Sequence, residues 1–231
     1  MYNLFYVTVI NVFFASIILF SQVAKTEVSE QPVTYGSTVL LVNTETNSNL
    51  YSSKITWSNG NQVVTCSKEL ENDNYFYIRE GAGESGYKGA GYNVLCGETI
   101  KLLHANTEKY LSANMSSRSM ITRQTEAFCG PKDKTSLFTI ECEKGNSGDE
   151  LKIGDQFKLF NIETKNYLVS SRRSVFDNRN CPRCPIVGQY EVSLSKKCKG
   201  DGLWTFKGIL VLHSSGMGSK TSGSSGDKDE L

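Results

Sequence analysis

Apolar residues fall into three regimes along this chain. From Met1 to Phe20 (MYNLFYVTVINVFFASIILF) no side chain is charged, and Val7 to Phe20 is interrupted only by Thr8, Asn11 and Ser16. Between about residues 33 and 213 apolar and polar positions alternate in short runs separated by Gly, Asn, Thr and Asp. Alternation of period two turns one face of a strand toward a core and the other toward water. Ser214 to Gly226 (SSGMGSKTSGSSG) is Ser/Gly-rich and has the composition of a flexible coil.

The alternating segment repeats itself. Gly36, Gly97 and Gly154 lie 61 and 57 residues apart. Three places after them stand Val39, Ile100 and Phe157; five after, Leu41, Leu102 and Leu159; ten after, Thr46, Thr107 and Thr164; fourteen after, Leu50, Leu111 and Leu168. Gln62, Gln124 and Gln189 follow, then the aromatics Phe76, Phe138 and Trp204, with Ile78, Ile140 and Phe206 two places later. The third repeat runs 21 residues from its leucine to its glutamine, against 12 and 13 in the others. The difference marks an insertion around Phe176 to Pro185.

Each repeat reads as four short strands. The first is the alternating run after the glycine, the second returns through an Asn/Thr-rich turn, the third lies at the glutamine, and the fourth at the aromatic. Sixty-odd residues cannot bury a two-sided sheet alone, whereas three copies can close a six-stranded barrel capped by three hairpins. The expected fold is all-β: a β-trefoil of twelve strands with pseudo-threefold symmetry, its repeats at about 33–84, 92–143 and 149–209. A propeller needs more blades and a solenoid shorter repeats.

The flanking segments read as addresses. Residues 1–24 have the apolar density of a secretory signal peptide, with Ser21 and Ala24 placed to precede a cleavage site. An n-region without Lys or Arg keeps an uncleaved signal anchor as the alternative; after cleavage no membrane contact is expected. Residues 214–231 form a flexible tail ending in Lys228, Asp229, Glu230 and Leu231, the tetrapeptide read by the retrieval receptor of the endoplasmic reticulum. The expected location is the lumen of that compartment. The 231 residues carry 25 Lys plus Arg against 24 Asp plus Glu, so a net charge of +1 excludes a general polyanion binder and nucleic acid as a partner.

The strings Val33-Thr34-Tyr35-Gly36-Ser37-Thr38-Val39, Cys96-Gly97-Glu98-Thr99-Ile100 and Gly188-Gln189-Tyr190-Glu191-Val192, with Asn43-Thr44, Asn106-Thr107 and Leu203-Trp204, resemble the three MIR repeats of the stromal cell-derived factor 2 family. The resemblance spans roughly Val33 to His213 and extends to the two addresses. It implies a lumenal protein without catalytic activity that joins the resident heat-shock chaperone and its J-domain cochaperone in folding and quality control of secretory clients. Tyr35-Gly36 departs from the Cys-Gly that often opens repeat one in that family, so a disulfide anchored there is absent.

The residues themselves suggest little catalysis. His104 replaces the turn-region amides Asn43 and Asn161, seven places after each repeat glycine, and His213 borders the tail. Neither has a neighbouring nucleophile or ligand cluster in sequence, so no catalytic, metal or cofactor site is expected. Gln62, Gln124 and Gln189 are expected to satisfy buried backbone groups rather than to bind sugar, and the repeated aromatics to fill the core. Glycans on folding clients nevertheless stay open as alternative ligands of a lectin-like module.

Among seven cysteines, Cys96 and Cys142 flank the first and last strands of repeat two and are expected to pair. Cys66 and Cys129 occupy equivalent sites apart from each other and are expected to be buried thiols. Cys181-Pro182-Arg183-Cys184 is expected to form structural pairings, one of them with Cys198, rather than an oxidoreductase site. Asn114-Met115-Ser116 is a candidate glycosylation sequon. Arg172, Arg173, Arg179 and Arg183 stand against Asp177 alone in the insertion, which is expected to protrude as a candidate partner-docking loop.

Overall fold

The structure, a computed structural model, describes residues 31–81 and 88–212. The signal-like segment, His213 and the tail with Lys228 to Leu231 lie outside the described residues. Repeat one supplies β1 (Thr38–Asn43), β2 (Ser48–Tyr51), β3 (Gln62–Val63), β4 (Thr65–Ser67) and β5 (Tyr75–Glu80). Repeat two supplies β6 (Thr99–His104), β7 (Tyr110–Arg118), β8 (Thr125–Gly130) and β9 (Phe138–Cys142). Repeat three supplies β10 (Gln156–Asn161), β11 (Asn166–Val175), β12 (Tyr190–Ser195) and β13 (Trp204–Leu210). Thirteen strands replace the expected twelve because the third strand of repeat one is divided at Val64: β3 bonds β8, whereas β4 bonds β2 and β12. The strand changes partners there, and the Val64 side chain enters the main core.

The first and last strands of the three repeats form a closed ring. β1 pairs with β5, β5 with β6, β6 with β9, β9 with β10, β10 with β13, and β13 returns to β1, every pair antiparallel. No strand of this ring is left with a free edge, the usual hazard of a sheet. The inner strands make three hairpins, β2–β4, β7–β8 and β11–β12, which are cross-linked through β3–β8, β4–β12 and β8–β12. This is the β-trefoil arrangement.

The repeat residues do equivalent work. Leu41, Leu102 and Leu159, Leu50, Leu111 and Leu168, and Phe76, Phe138 and Trp204 are all fully buried. Of the three aromatics only Trp204 has a polar atom to satisfy, and its Nε1 donates to the Leu168 carbonyl at 2.8 Å. A short 3-10 turn precedes the last strand of each repeat, at Asn72–Asn74, Lys134–Ser136 and Gly200–Gly202. The opening glycines have φ of +83°, +87° and +93°, where a side chain would be strained, and their N–H groups donate to Ile78, Ile140 and Phe206 at 2.8, 2.8 and 3.1 Å. Each repeat thereby fastens its beginning to its own end.

The end of the barrel opposite the hairpins is closed by backbone alone. Val33 N–H donates to Leu151 O at 2.8 Å, Leu151 N–H to Val94 O at 3.0 Å, and Val94 N–H to Val33 O at 2.8 Å. All three residues stand three places before a repeat glycine and are fully buried, so the triangle is both hydrogen-bonded and apolar.

The insertion of repeat three does not simply protrude. Phe176, Cys181 and Ile186 are buried with Val63, and Ile55, Trp57 and Ile121 pack against them, so loops from all three repeats meet over one small second core. The apolar side chains inside the inserted segment fold it back, while its arginines face outward. Burial of the first core layer predicts that Leu41→Ala, Leu102→Ala and Leu159→Ala each lower unfolding free energy by about 2–5 kcal/mol in chemical denaturation. A neutral result at one of them would contradict a shared core layer.

Candidate functional site

The turn residue seven places after each repeat glycine acts as a clamp between strands. Asn43 Nδ2 donates to Asp201 O at 2.8 Å while its Oδ1 accepts from the N–H and hydroxyl of Thr46 at 3.0 and 3.1 Å. Asn161 repeats this with Thr135 O at 2.8 Å and with Thr164 at 2.9 Å through both groups. In repeat two His104 fills the same place: Nδ1 meets Thr107 Oγ1 at 2.7 Å and Nε2 meets Asp73 O at 3.1 Å. A carbonyl can only accept, so the proton resides on Nε2 and Nδ1 accepts from the threonine. Burial of the ring pushes its pKa down, against the opposing pull of the Asp73 carbonyl and carboxylate. His104 is a structural imidazole standing in for an amide.

The repeat glutamines bond hydroxyls, all but one of them across repeat boundaries, not the backbone groups anticipated. Gln62 Nε2 donates to Ser52 Oγ and Thr107 Oγ1 at 2.9 Å each, Gln124 Oε1 accepts from Ser193 Oγ at 2.8 Å, and Gln189 Oε1 accepts from Thr65 Oγ1 at 2.5 Å. Short hydroxyl side chains project from neighbouring strands at this depth, and the strand carbonyls already serve the sheet. Two places beyond Gln124 and Gln189 stand Glu126 and Glu191, where repeat one has Val64. Both glutamates are buried and hold a loop of the preceding repeat. Glu191 accepts from Ile121 N–H at 2.5 Å and from Thr122 N–H and Oγ1 at 3.0 and 2.6 Å. Glu126 Oε2 accepts from the amides of Asn59 and Asn61 at 3.0 and 3.1 Å, but its Oε1 is buried without a partner among the described residues. A Gln-x-Glu pattern in two repeats was the available sequence signal for these carboxylates.

Beside that orphan oxygen the hairpin face is concave. A hollow of about 420 Å³ is lined by Trp57, Asn59, Met120, Glu126 and Asn180, with Arg118 and Arg123 on its wall. The same two arginines line a second hollow of about 390 Å³, which contains Met115, Asn166 and Lys196. Asn166 is buried and its Oδ1 has no partner among the described residues. Arg118 and Arg123 are exposed, and neither is among the ion pairs of the described residues. Arg118 and Arg123 line both hollows, which adjoin there as a groove between the repeat-two hairpin, the repeat-one loop and the insertion.

The remaining predicted residues are dispersed. Cys96 pairs with Cys142, as their positions on the ends of repeat two require. Cys181 pairs with Cys184 itself, not with Cys198. Two successive turns, Cys181 N–H to Asp177 O at 2.8 Å and Cys184 N–H to Cys181 O at 3.2 Å, bring those thiols together. Cys198 lies away from them against Gly202 and is a free thiol, as are Cys66 and Cys129. Burial pushes the last two up to about 12, so neither is a nucleophile at neutral pH. Arg172 Nε donates to Glu45 O at 2.5 Å, and Arg179 makes a fork to Asp177 Oδ2 at 3.0 and 2.7 Å. Arg173, near the end of β11, and Arg183, in the inserted loop, are exposed. Asn114 is exposed on β7, and its Oδ1 accepts from Ser116 N–H and Oγ at 3.0 and 2.9 Å.

At the position of the departure from Cys-Gly, the buried Tyr35 donates its hydroxyl to Glu98 Oε2 at 2.8 Å. Lys88 pairs with the other oxygen of Glu98. A tyrosine–glutamate bond thus links repeats one and two there. Among the described residues no group of three or more His, Cys, Asp or Glu is gathered as a metal would require, and no helix is long and apolar enough to cross a membrane.

The fold and this site define a class: a three-repeat β-trefoil whose interior is filled with side chains and whose hairpin face carries a polar groove. The chain is 32% identical over 188 residues to a stromal cell-derived factor 2-like protein of Dictyostelium discoideum, covering 77% of this chain and 83% of that protein. A stromal cell-derived factor 2-like protein 1 of Mus musculus is 28% identical over 185 residues, 78% of each chain. The crystal structure of the corresponding Arabidopsis thaliana protein superposes with a TM-score of 0.70 at 25% identity, over 79% of this chain and 99% of that one. No protein-family model matches. The chain belongs to the stromal cell-derived factor 2-like family.

The His104 geometry generates a pH prediction. An unfolded histidine takes up a proton near pH 6.5, whereas folded His104 resists it, so its contribution is present above that pH and is lost as pH falls below it. His104→Asn, which restores the amide of the other repeats, should fold and should show a shallower loss of stability on acidification than the native chain. Parallel denaturation series across pH 4–8 test this, and identical slopes would mean that His104 does not titrate differently on folding.

Proposed function

We propose that this protein is a non-catalytic cochaperone or adaptor of the endoplasmic reticulum lumen, joining the resident heat-shock chaperone and its J-domain cochaperone to unfolded secretory clients. The observation that carries this reading is family membership across 77% of the chain. The signal-like residues 1–24 and the terminal Lys228-Asp229-Glu230-Leu231 support a lumenal address. The chemistry of the described residues agrees with a binding role: the buried histidine is fully engaged, the core thiols are held neutral, and the exposed Arg118 and Arg123 line open hollows.

Crosslinked recovery from lumen, with the tail intact and with or without glycosidase, tests the reading. Glycan-insensitive recovery of the chaperone and its J-domain partner is expected; complete loss on deglycosylation would replace the adaptor with a lectin-like module. The address makes a separate prediction. Two residues added after Leu231 should hide the tetrapeptide and cause secretion, measured as the fraction of protein in the medium. Unchanged retention would assign location to partner binding instead.

A further inference from the structure

We infer that the groove on either side of Arg118 and Arg123 binds an extended, acidic segment of polypeptide. Three observations meet there. The two exposed guanidiniums lack ion pairs among the described residues, whereas Arg179 on the insertion pairs with Asp177 and Arg172 Nε is held by the Glu45 backbone carbonyl. Each adjoining hollow is lined by a residue whose buried side-chain oxygen has no partner among the described residues, Glu126 Oε1 on one side and Asn166 Oδ1 on the other. Exposed Met115 and Met120 and the half-buried Trp57 supply adaptable apolar surface along the same path.

The ligand chemistry follows from what is missing. Guanidiniums call for carboxylates, which they grip with paired N–H donors. Thioether and indole surfaces call for apolar side chains. A polypeptide in extended form presents both: acidic side chains for Arg118 and Arg123, and alternate apolar side chains for the methionines and Trp57. A neutral oligosaccharide would leave the arginines unmatched. The inference rests on the adaptor reading in taking polypeptide as the occupant, and it moves the docking site from the insertion arginines to the groove beside them.

The probe is a fluorescein-labelled peptide alternating aspartate with leucine and tyrosine, compared by anisotropy with its asparagine counterpart on the full chain. The variant is Arg118→Ser with Arg123→Asn, the asparagine chosen because residue 123 has φ of +59°, which asparagine tolerates. We expect roughly tenfold weaker binding of the aspartate peptide by the double variant, a flatter salt dependence, and little discrimination between the two peptides. Arg173→Ser, near the end of β11, should leave binding unchanged. Arg118→Ser alone serves the same comparison should the double variant not fold. Native-like binding by the folded variant overturns the inference, as does binding of polygalacturonate, but not peptide, at the same arginines. Loss of chaperone recovery with groove-dependent peptide binding intact would discard the adaptor reading and keep the groove; chaperone recovery with no arginine-dependent peptide binding would do the reverse.

Discussion

Three backbone hydrogen bonds, running from Val33 to Leu151, from Leu151 to Val94 and from Val94 back to Val33, close the end of the barrel that the hairpins do not cover. Each repeat donates to one neighbour and accepts from the other, so no repeat can leave without orphaning a buried amide and a buried carbonyl, each a cost of about 1–3 kcal/mol. The geometry holds only if the three segments reach the axis at the same height. That requirement explains why the distance from this residue to the repeat glycine is three in every copy, while the outer loops differ freely in length. At the opposite end side chains perform the equivalent stitching, through Gln62 to Thr107, Ser193 to Gln124 and Thr65 to Gln189. A barrel tied cyclically at both ends needs little help from disulfides, and the Cys96–Cys142 bond is confined to one repeat.

Most of this architecture was legible because packing symmetry leaves a periodic trace. Residues that touch the axis recur at the same offset, and Leu41, Leu102 and Leu159 or Phe76, Phe138 and Trp204 announced the core for that reason. His104 was likewise readable as a stand-in for Asn43 and Asn161, since an imidazole and a carboxamide can each offer one donor and one acceptor. What escaped was information carried by single copies. The break at Val64 depends on a change of pairing partner, and pairing between distant strands has no local signature. The self-pairing of Cys181 with Cys184 depends on two consecutive turns around Pro182 and Arg183, and the position of Cys198 against Gly202 could not be measured along the chain.

The groove was illegible for a related reason. Its residues come from the repeat-one loop, the repeat-two hairpin, the insertion and β12, so no window of sequence contains them together. Net charge gave no hint, since two unpaired arginines vanish in a balance of 25 against 24. The inserted segment was noticed for its arginines, but its apolar residues determine its course: Phe176 and Ile186 anchor it over Val63, and Asn180 thereby becomes part of the groove wall. A loop that interrupts the threefold pattern thus supplies one bank of the asymmetric surface that a symmetric barrel lacks.

The pairing of β1 with β13 has a consequence for biosynthesis. Thr38 must find Leu210, and Asn43 must find Trp204, so the first strand made waits for the last. At translation speeds of about 5–20 residues per second, that wait lasts roughly ten to thirty seconds. Throughout it β1 can bond β2 and β5 in the nascent chain, yet the side it will offer to β13 stays open, as does the triangle until Leu151 has emerged. Vectorial emergence therefore produces a curled but unclosed sheet with an exposed edge, and the final strand acts as a latch. The chain passes through its own period of exposed backbone before its surface is complete.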